Sequence, residues 1–281
     1  MKPSLYFRPT NLQEALTALS ANSWSVLAGG TDFYPARLGK PLEENVLDVS
    51  AIDGQEKISF NDGRWRLSLQ ATWSDLIADN RLPARFDGLK RAAREVGGVQ
   101  IQNRATICGN LCNASPAADG IPNLLALDAQ VELMSLQGRR TLPIADFVKG
   151  NRRTFRREDE LVTALLVPDS GRPARSVFLK LGARKYLVIS IVMVGAVLEL
   201  AEDSRIVSAR IAVGACSPVA QRLPLLEEGL IGRRLETALA DMVHERHLAP
   251  LAPIDDVRGT ADYRRDAVIT LLQRSLTELA R

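Results

Sequence analysis

Thiols, imidazoles and aromatic rings are scarce in this chain: its 281 residues hold three cysteines, two histidines and 5% aromatic side chains. Cys108, Cys112 and Cys216 are too few, and odd in number, for a disulfide framework. Cys108 and Cys112 lie four apart, but no second pair completes a four-thiolate cluster. His244 and His247 have no cysteine support, so no metal site is expected. No apolar run reaches membrane-spanning length; the longest, Leu187 to Leu198, suits a buried strand or helix segment. A formal net charge of +3 is too small to argue for nucleic acid, and no basic stripe carries interleaved aromatics. No Ser or Cys has a visible base partner, so no catalytic residue is assigned. The stretch Met1 to Arg8 lacks the apolar core of a secretion signal, and a cytoplasmic location is expected.

What is present is an ordinary globular composition, 46% hydrophobic and 25% charged, in a chain long enough for a sizeable core and two domains. Two stretches stand apart from it. The first runs from the apolar Trp24–Ala28 into Gly29-Gly30-Thr31-Asp32 and then a helix start over Phe33–Leu38. Paired glycines let the backbone turn tightly and approach a ligand, and Thr31 or Asp32 can cap the helix. A glycine turn of this kind suits a diphosphate. The pattern matches neither the spaced-glycine dinucleotide fingerprint nor the phosphate loop ending in Gly-Lys-Ser/Thr. The second stretch, Asn103 to Asp119, is dense in small, amide and hydroxyl side chains between two apolar segments. It reads as a long functional loop supplying N–H donors, with Thr106, Asn110, Asn113 and Ser115 as neutral hydrogen-bonding groups.

Together, Leu27-Ala-Gly-Gly-Thr-Asp32 and Asn103–Asp119 resemble the two FAD loops of molybdenum hydroxylase flavoproteins, the medium subunits of the xanthine dehydrogenase and carbon monoxide dehydrogenase family. Leu124–Ala129, Glu160-Leu161, Lys180–Arg184 and Tyr263–Arg265 fall in the expected order, so the likeness covers nearly the whole chain. The resemblance implies non-covalent FAD held by Leu27, Ala28, Gly29, Gly30, Thr31, Asp32, Thr106, Gly109, Asn110 and Asn113. It assigns Asp119 to the ribityl and adenosine portion and places Leu161 and Lys180 beside the cofactor. It also implies an iron–sulfur small subunit and a molybdopterin large subunit as partners, with molybdopterin and [2Fe-2S] clusters on those chains only. Electrons would pass to NAD, quinone or oxygen. The alternatives are a free-standing FAD oxidoreductase and a non-catalytic scaffold. Three positions depart from the family pattern. Cys108 stands where a second glycine is common, so a positive φ there would be strained. Gln102 replaces a common arginine, and Val188 an acidic residue.

The expected fold is α+β, a two-lobed FAD-binding domain of the vanillyl-alcohol-oxidase type over residues 1–170. Residues 1–55 form a small parallel lobe reading β-α-β-α-β, with Thr10 or Asn11 capping its first helix. Residues 56–170 form a larger mixed lobe with a hairpin at Asn61-Asp-Gly63. A C-terminal α+β domain, residues 174–281, carries three antiparallel strands and then helices, one of them over Leu235–His247. Arg152, Arg153, Arg156 and Arg157 form a basic cluster, either a solvated face or a docking surface for a partner subunit.

Overall fold

The computed structural model describes residues 4–39, 41–54 and 56–281. Residues 1–3, which open the expected small lobe, and Gln55, which closes it, lie outside the described residues. Three sheets organise the chain. β1 (Tyr6–Phe7), β2 (Ser25–Leu27) and β3 (Val46–Asp48) form a parallel sheet in the order β1-β3-β2, covered by α1 (Leu12–Ala21). Asn11 is the cap of α1: its side-chain oxygen accepts from the Glu14 N–H at 3.0 Å. The helix expected over Phe33–Leu38 is only a 3₁₀ turn, Pro35–Arg37. Pro35 contributes no N–H and Gly39 adopts a left-handed φ of +73°, so the turn cannot propagate.

β4 (Ile58–Asn61), β5 (Arg64–Ser68), β6 (Gln130–Ser135), β7 (Gly138–Pro143) and β10 (Leu161–Pro168) form an antiparallel sheet ordered β4-β5-β10-β6-β7. Between β5 and β6 lie α2 (Trp73–Ala78), α3 (Asp87–Glu95), α4 (Val99–Gln102), α5 (Ile107–Asn113) and α6 (Gly120–Ala126). Between β7 and β10 lie α7 (Ile144–Phe147) and a small ribbon, β8 (Val148–Gly150) and β9 (Arg153–Thr154). Trp73, Phe86, Ile107, Leu111, Leu124 and Phe147 fill the core between sheet and helices.

The stretch Asn103–Asp119 is therefore not the irregular loop its composition suggests. Thr106 caps α5, its Oγ1 accepting from the Gly109 N–H at 3.0 Å, and Ile107 and Leu111, four apart, are both buried. Cys108 lies inside α5 rather than in a left-handed turn, so the strain expected there is absent.

The C-terminal sheet has four strands, not three: β11 (Ala174–Leu181), β12 (Val192–Leu200), β13 (Ile206–Gly214) and β14 (Gln221–Arg222). β14 is two residues long and carries no alternating pattern, which is why the sequence hides it. α8 (Pro224–Leu230) and α9 (Ala261–Leu279) pack one face through Leu226, Val268, Leu272 and Leu276. The expected helix Leu235–His247 is instead two 3₁₀ turns, Thr237–Met242 and Glu245–Leu248. His244 takes an extended backbone, φ −132° and ψ 159°, and breaks the helical path.

The opposite face of this sheet packs on α3 and α6 of the larger lobe. The approach is close: a Cβ at Gly195 would lie 2.9 Å from the Asn123 backbone N. Arg85, 3% exposed, ties the same junction by donating to the Pro168 carbonyl at 3.0 Å, with Asp169 and Glu199 carboxylates 3.2 and 3.3 Å away. The helices α3 and α6 and the C-terminal sheet are thus held against one another.

Candidate functional site

The two unusual stretches face each other. β2 ends at Leu27 and delivers Gly29-Gly30-Thr31-Asp32 against the entry to α5. A Cβ on Gly29 would stand 1.9 Å from the Arg104 carbonyl oxygen and 3.0 Å from the Ala105 Cα, so only glycine permits this contact. Gly30 has φ +77°, which completes the turn. Between the stretches lies a cleft of about 670 Å³. Ala28, Gly29, Gly30, Thr31, Asp32, Thr106, Gly109, Asn110, Asn113 and Leu161 all line it. Val26, Leu69, Val96 and Ile101 add an apolar wall, a mixture typical of ligand clefts.

Leu27, Asp119 and Lys180 lie off this wall. Leu27 is buried and faces a second cavity of about 460 Å³ behind the glycine turn, which shares Ala28, Gly29, Gly30 and Thr106 with the first. Asp119 and Lys180 form a buried ion pair between α6 and β11, Nζ to Oδ2 2.7 Å, each side chain 8% exposed. The Ser190 hydroxyl donates to the other Asp119 oxygen at 2.6 Å. Burial pushes the Asp119 carboxyl above the usual carboxylate range, and Lys180 and Ser190 offset that only in part. Lys180 also borders a basic hollow of about 520 Å³ with Arg94, Arg184 and Lys185.

The departures from the family pattern are accommodated locally. Gln102 Nε2 donates to the Arg94 carbonyl at 3.2 Å and so fastens α4 to the end of α3. Cys108 and Cys112 both border the cleft as free thiols. Desolvation raises both, Cys112 to about 11, so neither is a ready nucleophile near neutrality. Val188 sits beside Gly182 in the basic hollow.

Sequence reasoning missed the three arginines of the cleft. Arg37 lines the wall, ion-paired with Glu44 and lying over the Phe33 ring at 3.7 Å. Arg152 and Arg156, assigned by sequence to a surface cluster, line it too. They arrive through the β8–β9 ribbon, whose short strands carry no signal a sequence pattern reveals.

The cleft suits an anionic nucleotide. Among the described residues, no acceptor takes the backbone N–H groups of Gly29, Gly30, Thr31 or Asp32. Such open donors beside a glycine turn are what a diphosphate takes up. The residues present therefore fit a dinucleotide such as FAD. No group of three or more His, Cys, Asp or Glu side chains capable of holding a metal occurs among the described residues.

A mixed α/β protein with a nucleotide cleft between two loops is thus the class that fold and site define. Comparison with known proteins narrows it. Residues 2–170 match the model of the FAD binding domain in molybdopterin dehydrogenase, and residues 178–279 that of the CO dehydrogenase flavoprotein C-terminal domain. The chain is similar to the nicotine 6-hydroxylase medium subunit of Paenarthrobacter nicotinovorans, 30% identical over 97% of this chain and 96% of that one. It is 27% identical to the glyceraldehyde dehydrogenase medium chain of Sulfolobus acidocaldarius, over 98% of each. Its fold matches a chain of reconstituted CO dehydrogenase from Oligotropha carboxidovorans, with TM-score 0.89, 25% identity and coverage of 99% and 98%. The protein belongs to the family of FAD-binding medium subunits of molybdenum hydroxylases.

Proposed function

We propose that the chain is the FAD-binding electron-transfer subunit of a multi-subunit molybdenum hydroxylase. It works between an iron–sulfur small subunit with a molybdopterin large subunit on one side and an external acceptor (NAD, quinone or oxygen) on the other. Molybdopterin and the iron–sulfur clusters reside on the partners. FAD, when bound, supplies the redox chemistry; the chain binds it, orients it and shields it. The observation that carries the reading is the meeting of Gly29–Asp32 and Thr106–Asn113 across one cleft, with the N–H groups of the glycine turn unclaimed.

In this reading residues 1–170 form a domain of the vanillyl-alcohol-oxidase type and residues 174–281 the C-terminal domain that closes against it. The backbone of Gly29–Asp32 takes the diphosphate, with Thr106, Gly109, Asn110 and Asn113 opposite, and Leu161 packs against the cofactor. Asp119 and Lys180 act together: a lysine already paired with a buried carboxylate fixes the junction of α6 and β11 beside the site. A cytoplasmic location, whose reducing conditions would keep Cys108, Cys112 and Cys216 as thiols, is part of this reading. No helix among the described residues is long and apolar enough to cross a membrane.

The test is purification of the full chain and of its complex from the native host. One FAD per chain, released by acid, and co-purifying subunits that carry molybdenum and iron are expected. A chain that stays colourless with added FAD, or that oxidises a small organic substrate alone, would overturn the reading.

A further inference from the structure

A third element reaches the cleft besides the two amide-rich stretches, the β8–β9 ribbon carrying Arg152, Thr154 and Arg156. Arg152 is fastened to the end of α5 twice. Its backbone N–H donates to the Ala114 carbonyl at 3.0 Å, and its Nη1 donates to Asn113 Oδ1 at 2.9 Å. Its φ is +55°, a left-handed conformation that glycine adopts freely and arginine only under strain. The fold therefore holds a long cationic side chain at a position where the backbone alone favours glycine, and aims it at the cofactor cleft.

The charge on the cleft wall is lopsided. Arg37 is committed to Glu44, and Arg156 Nη1 to the backbone carbonyls of Arg157 and Glu160 at 3.1 and 2.7 Å. Asp32 is the one carboxylate among the residues that line the cleft. Among the described residues neither Arg152 nor Arg156 has a carboxylate partner. Arg152 is exposed at the cleft wall, and a guanidinium there without a carboxylate partner favours a ligand that brings its own negative charge.

We infer that Arg152 is a cofactor-binding residue that neutralises the diphosphate of the dinucleotide and makes the cleft select for that diphosphate. Backbone N–H groups of the glycine turn bind phosphate oxygens without net charge; Arg152 supplies the charge. Asn113 is its positioning residue, since it holds the guanidinium by one nitrogen and leaves the others to the ligand. The inference rests on the FAD reading of the cleft.

The experiment is a titration of the full apo chain with three probes: FAD, ADP and riboflavin. ADP carries the diphosphate without the flavin, and riboflavin the flavin without any phosphate. Arg152→Gly removes the charge and relieves the left-handed strain, so its melting temperature is expected to equal or exceed that of the parent chain. It should bind FAD and ADP about 10- to 100-fold more weakly, the worth of one charged hydrogen bond, and riboflavin equally well. Arg152→Lys should recover part of the loss, and added salt should weaken the parent more than Arg152→Gly. Equal FAD and ADP affinity in Arg152→Gly and parent would overturn the assignment while leaving the FAD reading intact. An equal loss for riboflavin would also overturn it, because the change would then not be about charge. A parent chain that binds neither FAD nor ADP would sink the FAD reading, and this assignment with it.

Discussion

Gly29→Ala is the smallest change that should separate cofactor binding from folding. The added Cβ meets backbone only: the Arg104 oxygen at 1.9 Å, the Arg104 carbon at 2.6 Å and the Ala105 Cα at 3.0 Å. No rotamer change relieves such a contact. To reach the 3.4 Å where ordinary contact begins, the glycine turn and the entry to α5 must part by about 1.5 Å. Overpacking of this kind costs roughly 1–3 kcal/mol of stability, which a chain with extensive buried cores can absorb. The cofactor has less latitude. A diphosphate held from both sides cannot keep its bonds to both across such a gap. Loss of two charged hydrogen bonds at about 1.5–3 kcal/mol each corresponds to roughly 10²- to 10⁴-fold weaker binding. The assay is flavin retained after gel filtration, beside a urea unfolding curve of the apo chain. A Gly29→Ala chain that keeps its FAD with parental affinity would refute the claim that the two stretches grip one ligand.

Other consequences follow from the same geometry. Asp119→Asn leaves the Lys180 ammonium buried without a counter-charge and should cost about 3–5 kcal/mol in denaturant unfolding. The double change Asp119→Asn with Lys180→Met should recover most of it, and a single change without effect would contradict the buried pair. Asp75 closes a capping box with Thr72 at the start of α2 and pairs with Lys57 at 2.9 Å. Burial pushes its carboxyl up, but the hydrogen bonds from Thr72 and Lys57 outweigh that and hold it below the usual carboxylate range. Its contribution is therefore present above the ordinary carboxylate value and lost as pH falls through the lowered folded one. Asp75→Asn should cost about 1 kcal/mol at neutral pH, and the difference from the parent should vanish in strong acid; a difference that persists there would refute the assignment. Cys112, half-buried on the cleft wall with its thiol raised to about 11, should be alkylated slowly near neutrality, ahead of buried Cys108 and Cys216. FAD should protect it, and mass spectrometry showing no protection would place the cofactor elsewhere.

Much of the architecture was legible where periodicity is strong. The α1 pattern, the Asn61-Asp-Gly63 hairpin and the long strands β11 to β13 are written in side-chain spacing. Elements fixed by tertiary contacts were not. α5 hides in a run of Gly, Asn and Cys because Thr106 caps it and buried Ile107 and Leu111 hold it, against weak intrinsic propensity. β14 and the β8–β9 ribbon are two or three residues per strand, too short for any pattern. That is why Arg152 and Arg156 read as surface charge: their place on the cleft wall depends on the ribbon folding back onto Ala114. The glycine turn itself was readable from composition, but the reason Gly29 must be glycine lies far along the chain, at Arg104.

The most direct measurement is a crystal structure of the chain with FAD bound. The account predicts the diphosphate between Gly29–Asp32 and Thr106–Asn113, within hydrogen-bonding distance of the glycine-turn N–H groups. A diphosphate that touches neither stretch, in a chain that holds one FAD, would contradict it.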